Sequence, residues 1–504
     1  VETEVIDLSK ATIPPFPHQV LDAERMFQQP FLLNFSEMGS GKSASVVHAA
    51  CALYEAGLIR TVIVAAPAQC TSVWHSKELG EIQKHAWQLS LVHRYHGGSK
   101  RIRLDSGLLN WIVVSYEFLR QSSALRILIE ATRQTRAMLV MDESIFLKSP
   151  KAVQTKSLLE LSHECDRRYA LNGTPHGGRL EETYSQFRLV DQRILGCDSF
   201  YHFRARYCVL GGFQRRQVVK YKNETDYFRR TKPYVIRRLK SELLDLPPKL
   251  YTHLTVPLSS ESWLRYKQMR DDLAAWLHSG LSATSHAPVR IIRLSQLTSG
   301  FLGGLKEVDP EEFQLYGMEM PVASTSGEAR TEVCSDEKLR CTLNWLSERL
   351  EADSSFRCLI WCRFRLDVAR LQKEIMARFP VPVFTIIGGQ GSMERHAAKV
   401  EGETGSGAAI LLGNQHAGGF GLTLTSFNQV FYYSSDYSLL ARMQSEDRCH
   451  RPSARGPHIL YTDLIATGPN GEKTVDGVVL EALQRKEDLL SWSSAKWESA
   501  ILAE

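Results

Sequence analysis

Two groups of residues in this chain have types and spacing that could do chemistry. The first is Phe35-Ser36-Glu37-Met38-Gly39-Ser40-Gly41-Lys42-Ser43. Glycines let backbone N–H groups turn inward around an anion, so Gly39, Ser40 and Gly41 would form a cradle. The Lys42 ammonium can then reach β- and γ-phosphates, and the Ser43 hydroxyl can hold Mg²⁺. The spacing departs from G-x-x-x-x-G-K-[ST] at one place, where Ser36 stands for the first glycine. Taken alone, the stretch also reads as a solvated Gly/Ser turn. The second group is Asp142-Glu143. An acid at the end of a buried strand is costly unless it is paired or binds a cation. Asp142 could hold Mg²⁺ opposite Ser43, and Glu143 could orient and deprotonate an attacking water. Upstream of both, Gln19 can give and accept hydrogen bonds at once, which suits an adenine edge.

These groups need a scaffold that brings them together. Pro30 to Phe35, Arg60 to Pro67, Trp111 to Tyr116, Ala137 to Met141 and Tyr169 to Asn172 are apolar runs separated by segments of helical pattern. Continuous apolar runs of this length predict buried parallel strands, and their alternation with helices predicts an α/β domain. In such sheets ligands sit at the carboxyl ends of the strands. The glycine loop, Asp142-Glu143 and Gly173-Thr174-Pro175 each follow such an end and should converge.

A second series begins after Cys334. Arg357 to Trp361, Val381 to Ile387, Ala408 to Leu412, Gln429 to Tyr433 and His458 to Tyr461 predict another α/β sheet. It has no Gly-x-Gly-Lys-Ser and no Asp-Glu of its own. It carries instead Gln444-Ser445-Glu446-Asp447-Arg448-Cys449-His450-Arg451. On a helix, Arg448 and Arg451 would share a face. Two guanidiniums there could stabilise charge on a transferred phosphoryl group, or simply form an exposed basic face. Thr474 to Trp492 reads as a closing amphipathic helix.

Between the two series, Phe203 to Lys240 is dense in Lys and Arg, Arg215 and Arg216 among them, with aromatics interleaved. Basic groups neutralise phosphates and aromatics stack on bases, although a basic connector packed on an acidic face has the same composition. Within it, Val209 to Lys222 could form a basic hairpin. Leu246-Pro247-Pro248-Lys249 breaks the chain, helical segments are expected to about Gly300, and Gly303 to Gly327 reads as a loop. The expected division is 1–245, a nucleotide-binding domain with a basic extension; 246–333, a helical connector and insertion; and 334–504, a second domain.

Bulk composition agrees with an ordinary globular chain. It has 504 residues, 43% hydrophobic and 23% charged, with a formal net charge of +5. That charge is compatible with nucleic acid without requiring it. Ten cysteines are scattered with no CxxC pair, so buried thiols in a reducing compartment are expected rather than a metal site. No apolar run approaches the ~20 residues needed to cross a bilayer. A cytoplasmic protein with no membrane partner is expected, in the host cytoplasm if the source is viral.

Taken together, these motifs resemble the Swi/Snf-type branch of superfamily-two helicases, the DNA-translocating ATPases, in the compact form of bacteria and their viruses. Glu37 to Ser43 is similar to motif I, Val114 to Arg120 to motif Ib and Met141 to Ser144 to motif II. Asn172 to Pro175 resembles motif III, Gly418 to Thr425 motif V and Gln444 to Arg451 motif VI. Ile236-Arg237-Arg238-Leu239-Lys240 and Leu246-Pro247-Pro248-Lys249 resemble the family's connector between lobes. The resemblance implies two tandem RecA-like domains with parallel sheets, helical insertions and an ATP cleft between the domains. It implies ATP and Mg²⁺ as cofactors. Gln19 would contact adenine; Gly39, Ser40, Gly41, Lys42 and Ser43 the phosphates; Ser43 and Asp142 the metal. Glu143, Gln444, Arg448 and Arg451 would be catalytic, and Thr174 would couple hydrolysis to motion. Ser115, Tyr116, Gly389 and Thr423 fall where nucleic-acid backbone is gripped. Motif II departs from the family, with Ser144-Ile145 in place of Ala-His, which removes a histidine that often links motifs II and III. The implied function is an ATP-dependent motor on DNA, duplex or forked. The alternatives are a strand-separating helicase acting on DNA or RNA, and a non-catalytic nucleic-acid-binding scaffold.

Overall fold

The computed structural model describes residues 6–76, 80–97, 101–173, 176, 179–211, 217–243, 246–278, 287–303, 332–387, 390, 401–405, 407–415, 424–436, 438–451 and 454–485. They form two compact units, one ending at Leu243 and the other running from Leu246 to Arg485.

The first unit is built on β1 (Phe31–Asn34), β2 (Thr61–Ala66), β3 (Ser90–Tyr95), β4 (Leu109–Ser115), β5 (Ala137–Met141) and β6 (Arg167–Leu171). A short hairpin follows, β7 (Cys208–Gly211) paired antiparallel with β8 (Gln217–Tyr221), and then β9 (Val235–Ile236). The main sheet has the order β3-β4-β2-β5-β6-β1-β9, and every pairing in it is parallel. Alternate residues of each central strand feed opposite layers. Ile63 and Ala65 join one core with Ile112, Leu139 and Ala170, while Val62 and Val64 join the other with Trp111, Val113 and Met138. Burial on both faces is why these strands read as unbroken apolar runs. Helix α1 (Pro17–Gln28) has proline at its first position, where its missing N–H costs nothing. Helix α2 (Lys42–Glu55) starts directly from the glycine loop.

The second unit holds β10 (Lys249–Pro257), the small antiparallel pair β11 (Phe301–Leu302) and β12 (Glu332–Val333), and then β13 (Arg357–Cys362), β14 (Val383–Ile386), β15 (Ala409–Asn414), β16 (Gln429–Tyr432) and β17 (Ile459–Thr467). Its main sheet has the order β10-β17-β16-β13-β15-β14, again parallel throughout. Cys358, Ile360 and Cys362 pack into one layer, and Leu359 and Trp361 into the other. The cysteines described are all free, as a chain without CxxC pairs suggests.

Three strands differ from the sequence reading. β3 is an edge strand with four half- or fully exposed positions in its first four residues, so it shows no apolar run. β9 is only two residues long. β10 stands where the Pro-Pro break was expected to lead straight into helix; helices follow only at Ser260–His278 and Ala287–Ser299. The expected loop from Gly303 to Gly327 lies, from residue 304 onward, outside the described residues. The closing helix is described over residues 475–485.

Candidate nucleotide site and arginine turn

The glycine loop emerges from the carboxyl end of β1. Gly39 and Gly41 both take positive φ, +82° and +78°, a conformation that L side chains rarely adopt. A side chain at Gly41 would also collide with the amide of Gln19. That amide is fixed in turn, since its oxygen accepts from the Phe16 backbone N–H at 2.9 Å. His18, from the same helix start, donates to the Ser40 carbonyl at 2.8 Å. The first turn of α1 therefore braces the loop from outside. Ser36, at the off-pattern position, is buried; its N–H donates to the Asn34 side chain and its carbonyl accepts from Lys42 at 2.8 Å. Lys42 also donates to the Glu37 carbonyl at 3.0 Å. Ser43 occupies the first turn of α2, where backbone N–H groups lack helical partners.

The acid pair sits just beyond β5. The Asp142 N–H is held by the Ala65 carbonyl of β2, two strands closing around the site. One Asp142 oxygen accepts from the indole of Trp74 at 2.8 Å, and the other from the Glu143 N–H at 3.0 Å. Glu143 is in the left-handed region, with φ 50°. Its Oε2 is buried without a hydrogen-bond partner among the described residues. Burial and the neighbouring Asp142 raise its carboxyl to about 8, against the pull of Lys42. Burial likewise pulls the Lys42 ammonium down, opposed by Glu143 and Asp142. Lysine and acids thus face each other at the carboxyl edge of one sheet. A divalent cation is compatible with this donor set: Mg²⁺ commonly takes one or two protein oxygens and completes its shell with phosphate and water. Among the described residues no cluster of three or more His, Cys, Asp and Glu side chains could hold a metal by itself.

Gly173, after β6, packs against the loop, for a Cβ there would meet Met38 Cγ at 2.5 Å. Ser144 Oγ donates to Gln186 Oε1 at 2.8 Å, both buried, and Lys148 pairs with Glu182 at 3.2 Å. These bonds tie the acid segment to the helix Thr183–Val190. The His176 imidazole is buried and held down to about 4, although Glu182 pulls it upward.

The basic connector contributes to the loop more than its composition indicated. Beyond β9 its backbone runs alongside the loop: Phe35 N–H donates to the Ile236 carbonyl at 2.8 Å and Glu37 N–H to the Arg238 carbonyl at 3.0 Å. Glu37 Oε2 accepts from the Lys240 N–H at 2.8 Å. Arg237 donates to the Phe35 carbonyl, and Arg238 pairs with the buried Asp22 at 3.1 Å. The Lys240 side chain lies over Gly39.

Several expected residues are engaged within their own unit. Tyr116 is 2% exposed and donates to the Asp142 carbonyl at 2.6 Å, so its side chain is a buried strut rather than a contact to nucleic acid. Ser115 accepts from the Phe118 N–H at 3.1 Å and closes the turn after β4. Phe203, Tyr207, Tyr227 and Phe228 are buried in the core and unavailable for stacking on bases. Asp226 binds Arg206, Arg229 and Arg230 at 2.8–3.1 Å. The helix expected to carry both arginines ends at Glu446. Arg448 is in the turn beyond it and lies over the Trp361 ring at 5.2 Å, where burial lowers its guanidinium to about 10. Arg451 donates to the Asp447 carbonyl at 3.2 Å, and Gln444 lies in the last turn of the helix. Thr174, Arg215, Arg216, Gly389 and Thr423 lie outside the described residues, as does most of the glycine loop expected at Gly418 to Thr425.

Trp74, Asp22 and Gln186 were not singled out in the sequence, and Lys240 only as part of the basic connector. A buried indole N–H needs an acceptor, but nothing local says which. The others follow from pairings between distant segments.

Residues 27–298 match the SNF2-related domain, and the chain belongs to that family. It is 24% identical to an uncharacterized ATP-dependent helicase of Mycoplasma genitalium, over 90% of this chain and 39% of that one. It is 25% identical to the ISWI chromatin-remodeling complex ATPase CHR11 of Arabidopsis thaliana, over 82% of this chain and 37% of that one. The chain thus spans less than half the length of these relatives. Among solved structures, the Sulfolobus solfataricus SWI2/SNF2 ATPase core in complex with dsDNA matches 98% of this chain and 97% of its own. That match has 19% identity and a TM-score of 0.43.

Proposed function

We propose that this chain hydrolyses ATP and uses the energy to move along duplex DNA. The observation that carries the reading is the meeting of Lys42 with Asp142 and Glu143 at one sheet edge, where Glu143 keeps a buried oxygen unpartnered. Lys42, its hold on the Ser36 and Glu37 carbonyls exchanged for phosphate oxygens, neutralises the triphosphate. Gln19 reads the adenine edge beside Gly41. Ser43 and Asp142 are the residues that would hold Mg²⁺, which when bound screens phosphate charge. Trp74 keeps the Asp142 carboxylate in one orientation. Glu143 takes the proton of the attacking water. Arg448 and Arg451 supply positive charge to the phosphates, and Gln444 is assigned with them as catalytic. Family membership supports both the nucleotide chemistry and the DNA track, and the relatives' names, ATP-dependent helicase and chromatin-remodeling ATPase, point the same way. Ser115, Gly389, Thr423, Arg215 and Arg216 are assigned to the DNA backbone, and Thr174 to coupling. Backbone contacts carry little sequence information, so binding is sequence-tolerant and salt-sensitive. Phosphate release measured with and without duplex DNA tests the proposal. Turnover should rise with DNA and collapse in Glu143→Gln; normal hydrolysis by that variant removes the proposed base.

A second reading, strand separation, is favoured by the hairpin β7–β8, whose arms expose Val209, Leu210 and Val219. A strand-displacement assay on forked DNA and on RNA distinguishes it.

A further inference from the structure

Glu143 has a backbone that its residue type does not favour. Among the described residues other than glycine, only Glu143 and Asn223 take positive φ. An asparagine visits that region because its short amide can bond locally; a glutamate has no such compensation. Strain of this kind persists only where the surroundings over-determine it. At φ 50° and ψ 51°, Glu143 needs to be held from both sides.

Upstream, the peptide between Asp142 and Glu143 has both polar groups bonded. Its carbonyl accepts from the Tyr116 hydroxyl at 2.6 Å, and its N–H donates to Asp142 Oδ1 at 3.0 Å. The Asp142 N–H is bonded in turn to the Ala65 carbonyl of β2 at 2.8 Å. Downstream, the Glu143 carbonyl accepts from the Phe146 N–H at 3.1 Å, a bond local to the turn. The hold on a distant element comes one residue on, where Ser144 Oγ donates to Gln186 Oε1 at 2.8 Å.

The Gln186 amide is itself fixed. Its Nε2 donates to the Glu182 carbonyl at 3.3 Å, one turn back in the helix Thr183–Val190, which leaves Oε1 toward Ser144. Both side chains are wholly buried, and the same helix sends Tyr184, Phe187, Leu189 and Val190 into the core. Packing alone would be served by an apolar side chain at position 186. A buried amide is costly there unless its bonds are made, so its use lies in the bond to Ser144.

We propose that Gln186, acting through Ser144, is a positioning residue for hydrolysis: it holds Glu143 in the left-handed conformation that keeps its carboxylate beside Lys42 and Asp142. The proposal rests on the reading of Glu143 as the group that takes the water's proton.

Gln186→Met nearly keeps the side chain's volume and removes the acceptor. Its kcat for ATP should fall about tenfold, while KM for ATP stays within about twofold. The double variant Ser144→Ala/Gln186→Met removes both polar partners, so its melting temperature should return close to that of the unaltered protein while kcat stays as low as in Gln186→Met. Gln186→Met with wild-type kcat overturns the proposal. So does a double variant whose rate recovers together with its melting temperature, since the bond would then serve the fold alone. The carboxyl can also be followed without turnover, as the ¹³C signal lost in Glu143→Gln. Burial is the main cause that raises this carboxyl to about 8. Released from its position in Gln186→Met, it should titrate at a pH lower by about one, and an unchanged midpoint overturns the proposal. Normal hydrolysis by Glu143→Gln removes the base instead, and the same titration still decides whether Gln186 sets the carboxyl's position.

Discussion

The two units share an architecture and differ in what they leave at the carboxyl ends of their strands. In the first, charge stands poised: Lys42 faces two acids, one of them with an unpartnered buried oxygen. In the second, the strand ends are bonded inward. Asn414 donates to the carbonyls of Cys362 and Arg363, and Ser434 accepts from the Arg363 N–H. Arg442 closes on Asp463 and Glu446, and Lys338 on Asp476 at 2.6 Å. A parallel sheet always presents loops at this edge, so the edge is where function is added. Among the described residues the first unit leaves Glu143 Oε2 unpartnered beside Lys42, whereas the second, though Asn414 Oδ1 and Gln415 Oε1 stay unpartnered at the end of β15, ties its last helical turn down through Arg442, Glu446 and Asp463.

The contrast can be broken from either side. The largest expected effect is on the second unit's stability. Arg442→Met leaves two buried carboxylates without their partner and should cost about 3–5 kcal/mol. A two-step thermal melt should show the loss in one transition; an unchanged melt would mean the network contributes nothing to folding. Next, Lys42→Ala should lower ATP turnover about 10²–10³-fold, as loss of a preorganised charge does, with the melt nearly unchanged.

The titration of the two units should diverge. Burial, with the neighbouring His85 adding to it, holds His48 down to about 4, and burial does the same to His176. Both are neutral in the fold, so the first unit keeps its full stability above the unfolded histidine pKa of about 6.5 and loses it as pH falls toward 4. The loss is on the order of 2–3 kcal/mol per fully buried ring. Asp367 in the second unit has the opposite sign. Burial raises it to about 7, with Ser434, Lys338 and Arg370 opposing. A carboxyl that stays protonated when folded favours the fold at low pH, and this contribution fades as pH rises from the unfolded value toward 7. Between pH 7 and 5 His48 and His176 should weaken the first unit while Glu143, raised to about 8, opposes them; Asp367 strengthens the second unit, and Asp367→Asn should flatten only that trend. The smallest effect is expected for Trp74→Phe. It removes one donor to Asp142 and should lower kcat about tenfold, with a raised Mg²⁺ requirement. Identical Mg²⁺ titrations would show that the indole does not orient the carboxylate.

Which parts were legible follows from burial. β2, β5 and β13 are buried on both faces and announce themselves as apolar runs. β10 hid behind two prolines and an exposed face, and β3 behind its polar edge. The placement of the glycine loop and Asp142-Glu143 was legible because each directly follows the carboxyl end of a buried strand of one sheet. The arginine turn was legible as a motif, but its helical placement was wrong. Spacing alone cannot show that a helix stops at Glu446, where the paired carboxylate meets Lys249 and Tyr251.

The sequence by itself determined two parallel sheets, the glycine loop and the acid pair at strand ends, since each rests on local pattern. Only the tertiary structure decided that Tyr116 is a strut, that Trp74 bonds Asp142, that Gln186 answers Ser144 and that Lys249 and Tyr251 meet on Glu446. Those are pairings between segments far apart in the chain. They are chosen by which buried donor finds which buried acceptor once the sheets have closed, and no local pattern records that choice.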